Sequence, residues 1–345
     1  MDQRDFLDLG RPRLSVVVPC YNEEDSLKAL EQRLPRACAA SVGSSYEIIL
    51  VDDGSSDRTW DVIAALSLRD ARIVGVSLSR NFGHQMALTA GLGYARGDRI
   101  FVIDSDLQDP PELLSDMMRL MDEGADVVYG QRLDREGETR FKRWSAALFY
   151  RLLARMTDVK VPLDTGDFRL MSRRVLRALQ SMPEQHRFVR GLVAWTGFRQ
   201  VALPYTRQKR VAGTTKYPLG KMIRFAIDAL TGFSVLPLRI TSIFGACFGL
   251  LGLGMLLYVA ISWCIFNAVA GWASTVALIS TLGGIQLMGL GILGEYLGRV
   301  YMEVKNRPHF IVRETVRALP FAPVSGEDEY PQIQARSRSL VPLNS

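Results

Sequence analysis

Charge is missing from one long stretch of the sequence, Ile240–Gly294, which contains no Asp, Glu, Lys, Arg or His. Ordinary soluble segments carry charge more often, and this length allows two helices of about 20 residues, enough to cross a bilayer. Small residues around Gly271 offer a turn between them. The sequence therefore predicts two transmembrane helices, at about 240–265 and 273–296. A buried helical hairpin in a soluble protein is the alternative.

Cysteine is also scarce. The few cysteines are scattered, and Cys247 and Cys264 lie inside the uncharged stretch. They form neither a metal-binding spacing nor a disulfide framework, which fits a reducing compartment. The N-terminus is polar and acidic, so no signal peptide is expected, and no internal repeat is evident.

The composition otherwise indicates a folded protein. Of the 345 residues, 48% are hydrophobic and 23% are charged, so the chain is not disordered. The net charge of +6 would fit nucleic-acid binding. The basic residues cluster beside the uncharged stretch, however, where anionic lipid headgroups explain them. Nucleic acid is therefore not an expected partner.

The basic residues around the uncharged stretch predict its orientation. Arg239 precedes it, and Arg299, Lys305 and Arg307 follow it, while the turn between the two predicted helices is uncharged. By the positive-inside rule, both flanks lie in the cytoplasm. We therefore expect a cytoplasmic N-terminal domain and C-terminus, with disorder after about residue 320.

Short apolar runs alternate with segments of helical spacing through the first 130 residues. The predicted strands are Leu14–Pro19, Tyr46–Val51, Ile73–Val76, Ile100–Ile103 and Asp126–Gly130. Such alternation predicts an α/β fold with a mostly parallel sheet covered on both faces. In these sheets the ligand lies beyond the carboxyl ends of the strands.

Polar loops follow several of these strands and should meet at that edge: Tyr21–Glu23, Asp52–Asp53, Arg80–Asn81 and Asp104–Gln108. Asp104 and Asp106 are two residues apart, and carboxylates so placed can hold a hard divalent cation. Alone, the pair would more often belong to a solvated loop, but packing does not require so many carboxylates at one edge. Asp109 and Glu112 are interpreted as charges at the start of the next helix.

Three later segments have less specific patterns. The predicted helix 141–156 carries Trp144 among basic residues, which fits a membrane surface and equally a helix packed between domains. Residues 164–170 are interpreted as a glycine turn with two carboxylates. Residues 207–217 are basic, with glycine and hydroxyl groups, and fit either an anion-binding loop or a solvated one.

Several motifs, in this order and spacing, resemble the family 2 glycosyltransferases of the GT-A fold: Val18–Glu23, Val51–Asp57 and Asp104–Glu112. Thr165–Arg169, Arg210–Tyr217 and the apolar hairpin narrow the resemblance to polyprenyl-phosphate glycosyltransferases. Of these, the chain is more similar to the bacterial undecaprenyl-phosphate glucosyltransferase type than to dolichyl-phosphate mannose synthases.

The resemblance covers roughly residues 13–315 and implies a division of the chain. The expected parts are a flexible tail at 1–12, a cytoplasmic, Rossmann-like GT-A domain at 13–215, an interfacial amphipathic helix at 216–238, the two transmembrane helices within 239–298 and a cytoplasmic C-terminal segment at 299–345. The expected location is the inner (plasma) membrane of a bacterium.

The resemblance also implies a nucleotide-sugar donor, a polyprenyl phosphate acceptor and a divalent cation, Mg²⁺ or Mn²⁺. The donor would contact Pro19, Tyr21, Glu23, Asp52, Asp53, Asp104, Arg210 and Lys216. The cation would be held by Asp104, Asp106 and Gln108, whose oxygens favour these ions over Zn²⁺. The implied catalytic residues are Asp104, Asp106 and Asp167.

With a phosphate as acceptor, the enzyme does not need a strong general base. The second pKa of a phosphate monoester is about 6, so the acceptor is largely ionised at neutral pH. Asp167 stands where inverting relatives carry their base, and we expect it to position the acceptor or to act as an optional base. Arg132, Arg140 and Arg143 would hold the lipid phosphate, with ordinary surface charge as the alternative.

The expected function is inverting transfer of a hexose, with glucose and UDP favoured, to undecaprenyl phosphate, giving a lipid-linked sugar for cell-envelope glycan or lipid modification. A processive polysaccharide synthase is disfavoured because Gln185–Phe188 does not match a Gln-x-x-Arg-Trp motif. A non-catalytic nucleotide-sugar-binding scaffold is disfavoured because the implied catalytic residues are intact. Small residues in the apolar stretch leave homo-oligomerisation open.

Overall fold

The computed structural model of the chain describes residues 11–133, 165–185, 187–206, 236–266 and 271–318. These residues divide into two compact units. The first contains the strands of the described chain together with the helices between them, and the second contains two long helices.

The first unit begins with the predicted alternation of strands and helices. Its elements are β1 (Leu14–Cys20), α1 (Glu24–Val42), β2 (Tyr46–Asp52), α2 (Thr59–Arg69), β3 (Ile73–Leu78), α3 (His84–Tyr94), β4 (Arg99–Val102), α4 (Leu114–Asp122) and β5 (Val127–Arg132). The later elements are β6 (Thr165–Ser172), α5 (Arg173–Gln180), α6 (Val189–Trp195), β7 (Gln200–Tyr205) and β8 (Val312–Val316).

The strands of the described residues form one sheet in the order β7-β5-β6-β4-β1-β2-β3-β8. Its centre is parallel, because β4, β1, β2 and β3 are parallel neighbours, and β5 pairs in parallel with β7. β6 runs antiparallel between β4 and β5, and β8 runs antiparallel along β3. The expected α/β fold with a mostly parallel sheet is confirmed.

Both faces of the sheet centre are covered, which explains the apolar run Val16–Val18 in β1. On one face, Val16 packs with Phe101 and with Leu27 of α1 in the main core. On the other face α3 lies close to the sheet. A Cβ atom at Gly91 would lie 2.3 Å from Cγ1 of Val17, so only glycine allows this approach.

Two predictions at the edges of the first unit need correction. The segment interpreted as a glycine turn is the strand β6, in which Phe168 and Leu170 join the main core. The chain is also ordered before the predicted end of its tail at residue 12. The Asp98 amide donates to the carbonyl of Pro12 at 3.1 Å, and Arg11 Nε donates to the carbonyl of Arg96 at 2.9 Å.

The strand β8 was not expected from the sequence. It pairs with β3, and the Ser79 amide donates to the carbonyl of Ile311 at 2.9 Å. The hydroxyl groups of Tyr94 and Thr315 lie 3.3 Å apart. Residues 319–345, where disorder is predicted, lie outside the described residues.

The second unit contains α7 (Leu236–Phe266) and α8 (Trp272–Lys305), which contact one another. They coincide with the predicted helices at 240–265 and 273–296 and extend beyond them. A Cβ atom at Gly289 would lie 2.9 Å from Cγ2 of Thr241, so the two helices are close at this point. Among the described residues, no helix has the length and apolar character required to cross a membrane.

Candidate active site

The loops that follow β1 and β2 meet at the carboxyl edge of the sheet, as predicted. Cys20 and Asp52 are register partners, and the Asp53 amide donates to the carbonyl of Cys20 at 2.9 Å. Asn22, with φ of 55°, is tied to the second loop, because its Oδ1 accepts from the amide of Ser56 at 2.9 Å. The backbone of this edge is therefore set by hydrogen bonds between loops.

Asp52 and Asp53 are buried and bonded within the protein. Asp52 accepts from the amide of Ser55 at 3.0 Å and from the hydroxyl of Ser77 at 3.1 Å. Asp53 accepts from the amides of Phe82 and Gly83, at 2.8 and 2.9 Å, and so fixes the start of α3. Burial raises the pKa of Asp53, although these two amides oppose the rise.

The other predicted donor residues near β1 differ in exposure. Pro19 is buried within the strand, whereas Tyr21 is 48% exposed, which leaves its ring available for stacking on a base. Glu23 accepts from the hydroxyl of Ser26 at 2.6 Å, and its amide donates to Thr59 Oγ1 at 2.8 Å. Glu23 therefore helps to hold the start of α1.

Asp104 and Asp106 follow β4 at the same edge. Asp106 Oδ1 accepts from the amide of Gln108 at 3.1 Å, which closes a tight turn around Leu107, a residue with φ of 52°. Burial is the main cause that raises the pKa of Asp104 to about 6, with nearby carboxylates adding to it and His84 opposing it. Oδ1 of Asp104 is buried without a hydrogen-bond partner.

These features fit a divalent cation, which would bond Oδ1 of Asp104 and relieve the repulsion between the carboxylates of Asp104 and Asp106. In the described part of the chain, no three or more His, Cys, Asp or Glu side chains form a metal-binding group. The predicted set has only two carboxylates, Asp104 and Asp106, and the amide of Gln108. Mg²⁺ is often held by one or two carboxylates together with substrate phosphates. A protein ligand set of this size is therefore sufficient.

His84 was not identified from the sequence, yet it connects the two sides of the site. Its Nε2 lies 3.2 Å from Oδ2 of Asp167 and 3.6 Å from Oδ1 of Asp104. Burial lowers the pKa of His84, but the hydrogen bond to Asp167 and the charge of Asp104 outweigh this and raise it to about 9. A protonated imidazole here donates to Asp167 and offsets part of the negative charge of the two carboxylates.

Asp167 is also held by groups on other elements. Gln85 Nε2 donates to its Oδ2 at 2.8 Å, and Arg169 NH2 lies 3.5 Å from its Oδ1. Burial alone would raise the pKa of Asp167, but the hydrogen bond from His84 is one of several effects that outweigh it. Together with the charges of Arg169 and Arg190, this bond holds the pKa well below its usual range. Asp167 is therefore a weak proton acceptor.

A second cluster, formed by Asp109, Tyr205 and Arg132, adjoins the Asp104 loop. The hydroxyl of Tyr205 donates to Asp109 and accepts from Arg132 Nε at 3.3 Å. Arg132 NH2 lies 3.5 Å from the Asp109 carboxylate, and its side chain is 25% exposed. Burial alone would lower the pKa of Arg132, but the charge of Asp109 outweighs it and the pKa is raised.

Asp109 lies just before the turn that leads into α4, near the predicted helix start, but it is buried in this cluster instead of acting only as a helix-start charge. Glu112 does lie in the turn before α4, where it forms a bidentate pair with Arg33 at 2.8 and 2.9 Å. Four predicted site residues lie outside the described residues: Arg140, Arg143, Arg210 and Lys216.

Comparisons with known proteins agree with this architecture. The family model described as "Glycosyl transferase family 2" matches residues 15–180, which include β1 to β6. The uncharacterized glycosyltransferase YkcC of Bacillus subtilis is 46% identical over 87% of this chain and 93% of its own length. The SfII prophage-derived bactoprenol glucosyl transferase of Shigella flexneri is 38% identical over 89% of this chain and 100% of its own length.

Among solved structures, glucosyl-3-phosphoglycerate synthase from Mycobacterium tuberculosis, in complex with Mn²⁺, UDP-glucose and phosphoglyceric acid, is 25% identical. The match covers 64% of this chain and 78% of that one with a TM-score of 0.42, which is too low for residue roles to be transferred. The similarity in sequence to YkcC, over most of both chains, shows the family of this chain. The chain belongs to glycosyltransferase family 2 and is a glycosyltransferase.

Proposed function

We propose that this glycosyltransferase transfers a hexose from a nucleotide sugar to a polyprenyl phosphate and inverts the anomeric centre. Glucose and UDP are the favoured sugar and nucleotide. The observation that carries the proposal is the environment of Asp167, which is paired with His84 at 3.2 Å and accepts a hydrogen bond from Gln85 at 2.8 Å, so that its pKa is held below its usual range. Such a carboxylate suits an acceptor that arrives ionised, as a phosphate does at neutral pH. Similarity to bactoprenol glucosyl transferases supports a lipid acceptor.

The residues at the sheet edge have separate roles in this proposal. Asp104, Asp106 and Gln108 would hold a divalent cation, Mg²⁺ or Mn²⁺, which neutralises charge on the departing diphosphate. Tyr21 stacks on the base of the nucleotide. Asp167 positions the acceptor phosphate, and the guanidinium of Arg132 attracts it. Because the acceptor loses no proton, direct attack on the sugar requires no strong base.

The proposal includes attachment to a bacterial plasma membrane through two spans within residues 239–298, with the sheet unit in the cytoplasm. Its support is the sequence alone: the absence of charge from Ile240 to Gly294 and the arginines on both flanks. A polyprenyl acceptor is itself confined to a membrane. Carbonate extraction of the expressed protein would test the attachment, and release into the soluble fraction would contradict it.

The test of the activity uses the purified full chain with undecaprenyl phosphate and a panel of labelled UDP- and GDP-sugars. The expected product from UDP-glucose is a lipid-linked glucose of inverted configuration, identified by mass and by anomeric analysis. Formation should stop with EDTA and return with added Mg²⁺ or Mn²⁺. A product of retained configuration would contradict direct displacement, and no transfer from any donor would favour a nucleotide-sugar-binding scaffold.

A further inference from the structure

Gln85 joins two elements of the site through the two ends of one amide group. Its Nε2 donates to Oδ2 of Asp167 at 2.8 Å, and its Oε1 accepts from the amide of Val189 at 3.0 Å. Asp167 belongs to β6, and Val189 is the first residue of α6. A side-chain amide can make both bonds at once, because its NH2 group donates while its carbonyl oxygen accepts.

The backbone position of Gln85 is itself fixed by hydrogen bonds. It is the second residue of α3, directly after the loop whose amides, at Phe82 and Gly83, are bound by Asp53. The tip of β2 therefore sets the position of the helix start, and the helix start sets the position of the amide. A group held in this way can in turn fix the orientation of a side chain that it contacts.

The held group is the carboxylate of Asp167. Its Oδ2 accepts hydrogen bonds from the side chains of both Gln85 and His84. Nε2 of His84 also lies 3.6 Å from Oδ1 of Asp104. If the Gln85 amide were lost, the carboxylate could rotate toward Arg169, whose NH2 lies 3.5 Å from Oδ1. That rotation would move the Asp167 carboxylate away from His84. The imidazole would then lose the hydrogen bond that keeps it beside Asp104.

We propose that Gln85 is a positioning residue for sugar transfer: its amide holds Asp167 in the orientation that keeps His84 beside Asp104, and fastens this arrangement to α6. This inference rests on the proposed function, because the assay of Gln85 variants measures the proposed sugar transfer. We expect its main effect on the rate of transfer, because Gln85 contacts Asp167 on the proposed acceptor side and touches Asp104 only through His84.

The first test compares Gln85→Leu with the matched control Gln180→Leu. Gln180 is also a partly buried glutamine that bonds to another element, since its Nε2 donates to the carbonyl of Leu92 at 3.1 Å. For Gln85→Leu we expect kcat to fall about 10-fold or more with little change in donor KM, as for lost partners of other site ligands. Gln180→Leu should keep kcat within about twofold, as a substitution away from the site.

The second test is the pH profile of Gln85→Glu, which separates positioning from packing. The introduced carboxylate can still accept from Val189, but when ionised it cannot donate to Asp167. Two carboxylates at this distance share a proton readily, and the shared proton restores the missing hydrogen bond. The charged groups that act on Asp167 are His84, Arg169 and Arg190, and Asp104 and Asp53 act on His84 in turn. Activity relative to wild type should therefore rise as the pH is lowered.

The possible outcomes distinguish a failure of the role of Gln85 from a failure of the proposed acceptor. Thermal unfolding of all variants shows whether they are folded, and the pH profile remains informative for a destabilised variant. Equal kcat values for Gln85→Leu and Gln180→Leu, or a constant ratio of Gln85→Glu to wild type across pH, would overturn the role of Gln85. If wild type transfers nothing to undecaprenyl phosphate, the acceptor is wrong, and the same comparison is made on UDP released from the donor without acceptor.

Discussion

The hydroxyl of Tyr205 donates a hydrogen bond to the carboxylate of Asp109, although the two residues are 96 positions apart in the chain. Both are buried, with Asp109 only 1% exposed. The bond connects the end of β7 to the loop that carries Asp104. Burial and the charge of Asp109 hold the pKa of Tyr205 well above its ordinary value, so the hydroxyl remains a donor at all working pH values.

The Tyr205→Phe variant should therefore be less stable. It removes the hydrogen bond to the buried Asp109 carboxylate and the acceptor of Arg132 Nε. Loss of a bond to a buried charged group costs about 1–3 kcal/mol, to be measured by urea unfolding. Tyr94→Phe is the control, because it removes a neutral contact of 3.3 Å with Thr315. An equal or larger loss in the control would contradict the prediction.

Asp106→Ala should abolish transfer, with a loss of about 100-fold or more, if a cation bound there stabilises the leaving diphosphate. The variant also loses the turn that Asp106 makes with the amide of Gln108, so binding is measured separately. Titration of Mn²⁺, followed by its electron paramagnetic resonance signal, should show weaker binding. Asp116→Ala, which removes an exposed carboxylate on α4, should leave activity and Mn²⁺ binding unchanged. Full activity of Asp106→Ala would refute the cation site.

The central sheet could be predicted because its signals are local. Val16–Val18 and Ile100–Ile103 are uninterrupted apolar runs that end in polar loops, and the rule for parallel sheets brings those loops together. β6 could not be recognised in this way. The alternation of Asp167 and Arg169 with Phe168 and Leu170 is a strand signal, but Gly166 and the charges favour a turn. The two charged side chains are buried opposite groups from α3 and α6, which no local pattern indicates.

The role of His84 and Gln85 was also beyond sequence reasoning. Their partner Asp167 is 83 and 82 residues away, and no pattern near α3 indicates which strand lies opposite its first turn. The same is true of β8, whose Val-Arg-Glu-Thr-Val sequence is too short and charged to predict a strand. It is stabilised by its pairing with β3 and was therefore visible only in the structure.

Gly54→Ala should destabilise the protein at the carboxyl edge of the sheet. Gly54 has a φ of +65°, and an added Cβ would lie 2.4 Å from the backbone carbon of Arg80. The loop that leads to α3 would have to move. Gly197→Ala is the control, because Gly197 has a φ of +72° with nothing within 4 Å of an added Cβ.

The control should show only the conformational cost of a left-handed residue, about 1–2 kcal/mol. Gly54→Ala should cost more than this in urea unfolding, since a contact with backbone cannot be relieved by a side-chain rotation. It should also lower the transfer rate, because Asp53, Phe82 and Gly83 adjoin the displaced loop. Equal costs for the two variants would show that the close approach of Arg80 is unimportant.

Asp70 should make stability depend on pH through its pair with Arg72. Arg72 Nε and NH2 donate to the two Asp70 oxygens at 2.9 and 2.7 Å, and its amide donates at 2.9 Å. Burial alone would raise the pKa of Asp70, but these bonds outweigh it and hold the pKa below its ordinary value. The folded state therefore favours the ionised carboxylate.

Because the pKa is lower in the folded than in the unfolded state, this stabilisation is complete above the unfolded value, about 3.9, and is lost as the pH falls through the folded value. The free energies of unfolding of wild type and Asp70→Asn should differ at pH 7, and the difference should shrink on acidification below about pH 4. Asp98→Asn, at an exposed pair 3.5 Å from Arg11, should have little effect at any pH. A difference that is the same at pH 7 and pH 3 would mean that the charge of Asp70 does not contribute to stability.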